Sequence, residues 1–276
     1  MNALLALIFL CALLARPAAA QNRALKLDGD GDYVQLPGNV FNSLTEATVE
    51  AWVRWDAFNS SSAWFSYGSP RDLQVLSIHH YANTRNVQFI IYDAGHNFYH
   101  ARAYSDLPAG QWCHMAAVSG PSGMKLYLNG GLAAEWDFTG SFASLGSGAE
   151  FSLGRATSKE SRDLRGQLDE VRVWSTARTE AQIRATMYQR LTGQEPGLVG
   201  LWNFDAGDAR DLSPSGHHGR LMGDATCVVA DLPNAVRTPA RLSGRVLDAQ
   251  GKTRVGVTMN LYNLSLRDSG LRFMGG

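Results

Sequence analysis

Residues 49–55 read Val49-Glu50-Ala51-Trp52-Val53-Arg54-Trp55, and the alternation puts positions 49, 51, 53 and 55 on one face of a pleated strand. The same period-2 pattern holds for Met124, Leu126 and Leu128, which run straight into Asn129-Gly130, the strongest two-residue hairpin signal. Working outward, Val75–Ile78, Val87–Tyr92, Ala116–Val118, Phe151–Leu153 and Val171–Trp174 are further short apolar or alternating runs. With 28 Gly against 9 Pro, turns are frequent and breaks are few. Short strands at regular spacing with Gly-rich turns predict an all-β chain, a two-sheet antiparallel sandwich of the jelly-roll kind. One short helix is expected as well. Thr179 with Gln182 has capping-box spacing, Ile183, Met187 and Leu191 recur at helical intervals, and Gly193 then Pro196 stop the run.

The 276 residues are 45% hydrophobic and carry 25 basic against 25 acidic side chains. That balance offers no electrostatic footprint for nucleic acid, and the apolar fraction is that of a chain that folds. The first twenty residues read differently. An uncharged run from Ala3 to Ala15 is too short to span a bilayer comfortably, and Ala18-Ala19-Ala20 fits a small-residue cleavage site. Residues 1–20 are therefore expected to be a secretory signal peptide, cleaved after Ala20. The mature chain would be secreted, periplasmic or at the cell surface, with no membrane span left. Cleavage removes Cys11 and leaves Cys113 and Cys227, either one disulfide in an oxidising compartment or two small buried thiols.

Several quoted stretches fall in a recognisable order. They are Ala24-Leu25-Lys26-Leu27-Asp28-Gly29, Thr48-Val49-Glu50-Ala51-Trp52-Val53, Gln111-Trp112-Cys113-His114-Met115-Ala116 and Met124-Lys125-Leu126-Tyr127-Leu128-Asn129-Gly130. After them come Gly166-Gln167-Leu168-Asp169-Glu170-Val171-Arg172-Val173-Trp174, Gly200-Leu201-Trp202-Asn203-Phe204-Asp205 and His217-His218-Gly219. As a set, over residues 22–233, they resemble a laminin G-like domain of the concanavalin A-like lectin/glucanase superfamily. The resemblance implies a jelly roll built for binding more often than for catalysis. Residues 234–240 look like a linker. From Leu242-Ser243-Gly244-Arg245-Val246 onward, residues 241–276 resemble the opening of a carboxypeptidase regulatory-like β-sandwich, too short to fold alone. Further domains are expected to follow.

Glucanases of this superfamily carry their carboxylates on one strand face as Glu-x-Asp-x-(x)-Glu, and the nearest fragment, Glu135-Trp136-Asp137-Phe138-Thr139-Gly140, lacks the last Glu. Asp169 and Glu170 are adjacent, so on a strand they point to opposite faces. No hydrolase elbow or His-Glu-x-x-His occurs, and the chain is read as a non-enzyme. The Asp28-Gly29-Asp30-Gly31-Asp32 run opens like an EF-hand loop, but Tyr33 and Asn39 stand where that loop needs Gly and Glu. The resemblance implies a structural Ca²⁺ near the ends of the first and late strands, with Asp30, Asp32 and Asp169 as ligands; the alternative is a solvated turn. His96 and His100 could share a strand face, whereas His79-His80 and His217-His218 are expected at the surface.

Aromatic residues crowd residues 55–104. Sugar rings stack their apolar faces on exposed aromatics while nearby polar groups hydrogen-bond the hydroxyls, although a sandwich core consumes most rings. Trp64, Tyr67, Tyr81, Tyr99 and Arg102 neighbour turn residues and are the ligand-binding candidates. The resulting expectation is a recognition module for glycan or an extracellular, glycosylated protein, within a larger modular protein. A ligand-free structural spacer and a glycan-active enzyme without a local motif are the alternatives.

Overall fold

The computed structural model describes residues 21–58, 60–69, 72–156 and 163–233. The expected signal peptide, linker and second domain, over residues 1–20, 234–240 and 241–276, lie outside the described residues.

In chain order the described elements begin with β1 (Arg23–Asp28), β2 (Tyr33–Leu36), β3 (Ala47–Trp55), β4 (Ala63–Ser69), β5 (Gln74–His80), β6 (Val87–Tyr92) and β7 (Phe98–Ala103). Next come β8 (Cys113–Ser119), β9 (Met124–Leu128), β10 (Gly131–Trp136), a 3-10 turn at Phe142–Ser144, and β11 (Glu150–Leu153). The remainder is β12 (Arg165–Trp174), α1 (Glu180–Thr186), β13 (Leu198–Trp202), β14 (Arg220–Met222) and β15 (Thr226–Val229). One antiparallel sheet runs β10-β9-β8-β3-β12-β1-β15, with β13 also paired to β12; the other runs β14-β2-β11-β4-β5-β6-β7. This is the two-sheet antiparallel jelly roll, with its single short helix, that the alternation predicted.

The alternation of β3 is realised. Val49, Ala51, Val53 and Trp55 enter the core between the sheets with Leu25, Phe65, Ile78, Phe89, Leu126 and Phe151. Thr48, Glu50 and Trp52 on the other face are also buried, because α1 and the chain after it lie over the first sheet. The Asn129-Gly130 hairpin joins β9 to β10 with φ of 48° and 78°, the two positive values a type I′ turn demands.

The capping box of α1 forms as predicted. Thr179 Oγ1 accepts from the Gln182 amide, and the Gln182 side chain accepts from the Thr179 amide at 2.8 Å. The helix nevertheless stops at Thr186, short of the predicted Leu191. Carbonyls that would continue it are taken by the sheet beneath: Arg172 donates to Thr186 O and Gln189 O, and Trp52 Nε1 donates to Met187 O.

The predicted disulfide does not form. Cys113 pairs with Val53, Val53 with Leu168, Leu168 with Leu25, and Leu25 with Cys227. The two sulfurs belong to one row across five strands, so their backbones are roughly 19 Å apart at about 4.8 Å per strand, far beyond the ~7 Å limit for a bridge. Both are free thiols, and burial pushes Cys113 up to about 12 and Cys227 to about 11.

Candidate functional site

The face of the second sheet that points away from the core carries three rows of side chains, fixed by strand register. One runs His100–Ile90–Ser77–Ser66–Ser152–Gln35, a second Phe98–Tyr92–Val75–Gly68–Glu150, and the third Arg102–Gln88–His79. Their neighbours on the opposite pleat, such as Phe65, Leu76, Ile78, Phe89 and Ile91, fill the core. At Gly68 an added Cβ would lie 2.0 Å from the carbonyl oxygen of Gln74, so β4 and β5 can approach only without a side chain there.

A depression of about 640 Å³ lies on this face. Its floor is a connected hydrogen-bond chain. Arg102 Nε donates to Gln88 Oε1 at 3.0 Å, the Gln88 amide meets His79 Nε2 at 2.6 Å, and His79 Nδ1 meets Ser77 Oγ at 3.3 Å. The Arg102 guanidinium lies over the Tyr81 ring, 3.8 Å from its centroid. Arg can only donate, so Gln88 must turn its oxygen to Arg102 and its NH₂ to His79. His79 Nε2 is therefore an acceptor, and Nδ1 carries the proton. Burial first, then repulsion by His80 when it is protonated and by the Arg102 charge, lowers His79 to about 3, so it stays neutral and the chain keeps one direction. Tyr81 and Phe98 stand at the rim, 39% and 41% exposed.

A second depression of about 440 Å³, over Gln35, Ser152 and Tyr33, adjoins the first at Ala156. Its arginine is spoken for: Arg155 stacks on Tyr33 at 3.8 Å and binds Asp163 through two nitrogens at 2.9 and 2.6 Å. Away from it, Tyr92, Phe98, His100 and Trp136 form a continuous aromatic run toward β10, with successive centroids 4.6, 5.1 and 5.1 Å apart.

Of the five ligand-binding candidates, the structure brings Tyr81 and Arg102 together in the depression. Trp64 and Tyr67 are corrections: both are fully buried in the core. Tyr67 OH donates to Asn42 Oδ1 and accepts from the Phe41 amide, and burial raises it to about 12. Tyr99 occupies the other pleat of β7, its ring parallel to Phe138 at 3.7 Å. His79 and His80, expected at the surface, are buried. His80 lies edge-on to Phe58 and Trp55 on the core side of β5 and is lowered by burial to about 4. His96 falls in the turn before β7 and does not share the strand face of His100. Ser77, His79, Gln88, Tyr92 and Phe98 were missed, although the outward alternation of Gln88, Ile90 and Tyr92 was a usable signal.

The implied calcium ligands do not converge. Asp30 and Asp32 follow the C-terminal end of β1, while Asp169 comes one residue after the partner of Leu25, about four residues or ~13 Å back along that strand. Asp32 accepts from the amides of Asp28 and Asp224. Asp169 is buried and accepts from Asn22 Nδ2 and the Glu170 amide; burial drives it well above the usual carboxylate range. Among the described residues no three His, Cys, Asp or Glu side chains gather as a metal site. The carboxylates of Asp32 and Asp169 are occupied by the protein itself, and the three do not fit a Ca²⁺ ion as a set.

Residues 28–184 match the family described as the concanavalin A-like lectin/glucanases superfamily. The chain belongs to that superfamily. Among solved structures it is similar to a candidate carbohydrate-binding protein from Bacteroides ovatus ATCC 8483, with a TM-score of 0.60 and 22% identity over 79% of this chain and 62% of that one. The chain thus spans under two thirds of that relative's length. It is also similar to domain 4 of the extracellular arabinanase AbnA of Geobacillus stearothermophilus, solved with arabinotriose, at TM-score 0.50 and 23% identity over 59% of this chain and 75% of that one. A third relative is the CBM40 of the Ruminococcus gnavus IT-sialidase bound to α2,3 sialyllactose, at TM-score 0.51 and 13% identity over 60% and 96% of the two chains. At these identities the superfamily relatives share the fold. No curated protein matches the sequence.

Proposed function

We propose that this chain is a carbohydrate-recognition module whose ligand lies in the depression on the outer face of β4–β7. The carrying observation is the combination found there: a floor of Ser, His, Gln and Arg side chains framed by the exposed rings of Tyr81 and Phe98. A sugar needs both parts, since its C–H face stacks on an aromatic ring and its oxygens need directed polar partners. The carbohydrate ligands named for two superfamily relatives support the same reading. Binding rather than hydrolysis is favoured, because glycosidases place two carboxylates ~5–9.5 Å apart, and the described lining of this depression contains none. Among the described residues no helix is long and apolar enough to cross a membrane. The apolar leader over residues 3–15 and the sandwich-like opening at Leu242–Val246 fit an exported, modular protein.

A glycan array probed with the full chain, with and without Ca²⁺, tests this directly. Retention of a defined set of glycans, lost in Phe98→Ala and Tyr81→Ala variants that keep the wild-type unfolding temperature, is expected. Array binding indifferent to both substitutions would move the site elsewhere, and an array without signal would leave the spacer reading standing.

A further inference from the structure

Resting on the reading of the depression as a glycan site, we infer that its ligand is an acidic sugar whose anionic group binds Arg102. The inference follows from the direction of the hydrogen-bond chain. Because Arg102 donates to Gln88, Gln88 to His79 and His79 to Ser77, each of these acceptors already takes one donor from the protein. Gln88 Oε1 is used by Arg102 and His79 Nε2 by Gln88. The chain leaves a ligand several donors, the terminal Nη groups of Arg102, the second amide hydrogen of Gln88 and the hydroxyl hydrogen of Ser77, beside one lone pair each on Gln88 Oε1 and Ser77 Oγ.

The charge says the same. Arg102 is the one formal charge among the described residues lining the depression, and it forms no ion pair with any described carboxylate. The adjoining depression shows the contrast, since there Arg155 is neutralised by Asp163. Around the first depression, Asp72 is held by the Ser69 hydroxyl at 2.7 Å, and the Ser61 hydroxyl accepts from the Ala82 amide. Arg102 is also preorganised, with Nε fixed by Gln88 and its plane laid on Tyr81, so little rotamer freedom is lost when an anion binds. A neutral sugar can share these hydrogen bonds but cannot balance the charge of Arg102. A carboxylate or sulfate only accepts.

The test is titration of the full chain with matched acidic and neutral probes: sialyllactose against lactose, trigalacturonate against its methyl ester, and 6-sulfolactose against lactose. At least one acidic member should bind roughly tenfold more tightly than its neutral counterpart, as a charge-assisted hydrogen bond allows. The preference should vanish in Arg102→Gln and shrink as salt rises. The carboxylate pairs against the sulfate pair identify which anion is used. Arg102→Lys, which keeps the charge but loses the planar fork and the Nε bond to Gln88, gives a second reading should Arg102→Gln fail to fold, and it should keep part of the acidic preference. Equal binding of acidic and neutral members, unchanged in both variants, would overturn the inference and leave the glycan reading intact. No binding by any probe here or on the array would remove both.

Discussion

The two outer faces of the sandwich both carry arginine, histidine and amide or carboxylate groups, yet they are opposite in construction. Over the first sheet, Glu50 is fully buried beneath α1 and is approached by Arg178 at 2.9 Å, Trp174 Nε1 at 2.9 Å and Arg172 at 3.5 Å, while Arg172 also binds Glu170 at 2.8 Å. Two acids balance two arginines, and the backbone carbonyls of Thr186 and Gln189 accept from Arg172, although Arg172 Nε and Glu50 Oε2 stay without hydrogen-bond partners among the described residues. Among the described residues nothing is laid over the second sheet, one arginine stands without an acid, and the chain of hydrogen bonds leaves donors spare. Closed, neutral networks hold an element down; an open network with spare donors and one unbalanced charge has room for a ligand.

Acid is the largest lever on this contrast. His114 on the covered face, His79 on the open face and His80 on the core side are all held neutral by burial, at about 4, 3 and 4. Each takes up a proton in the unfolded chain near pH 6.5 but not in the folded one. Acidification from 6.5 toward 4 should therefore cost stability, on the order of 3 kcal/mol per histidine. Asp169 and Glu170, raised chiefly by burial, act in the opposite sense and offset part of that loss. Urea melts from pH 7.5 to 4 should show falling stability, and imidazole NMR should show these three rings untitrated at pH 5; titration near 6.5 would disprove their burial.

Next comes Glu50→Ala, which leaves the buried Arg178 without its carboxylate and Arg172 with Glu170 alone, and should lower stability by about 3–5 kcal/mol in chemical denaturation. A loss under 1 kcal/mol would mean that the covered face does not depend on charge balance. Tyr67→Phe leaves the buried Phe41 amide and Asn42 without their partner and is expected to lose about 1–2 kcal/mol. Thr179→Ala removes the cap of α1, and a decrease of about 1 kcal/mol in the same assay checks it. Smallest is Arg102→Gln, expected to change stability by about 0.5 kcal/mol, because it loses only the Gln88 bond and the Tyr81 stack and, among the described residues, nothing packs above it.

The parts of the fold legible in the sequence were those fixed by neighbours along the chain. Val49 to Trp55, the Asn129-Gly130 turn and the Thr179 cap depend on local periodicity and local hydrogen bonds, and all three appear where expected. The helix end at Thr186 was not legible, because Arg172 and Trp52 on distant strands decide it. The site was half legible for a similar reason. Closeness to a turn picked Tyr81 and Arg102, which line the depression, but also Trp64 and Tyr67, which are buried in the core because the register of β4 against β5 and β11 sets their facing. Cys113 and Cys227 show the same limit, as two thiols on one core face look pairable until the strands between them are counted.

The claim that the ligand occupies the open face is tested most directly by NMR of the full chain during titration with a glycan that the array retains. The account expects the Arg102 Nε–H, the Gln88 side-chain amide and the Ser77 backbone amide to shift together and saturate with the binding curve, while the Trp174 indole and the Arg178 guanidinium stay in place. Shifts centred on Trp174 and Arg178, with the Arg102–Gln88–Ser77 group unmoved, would contradict it.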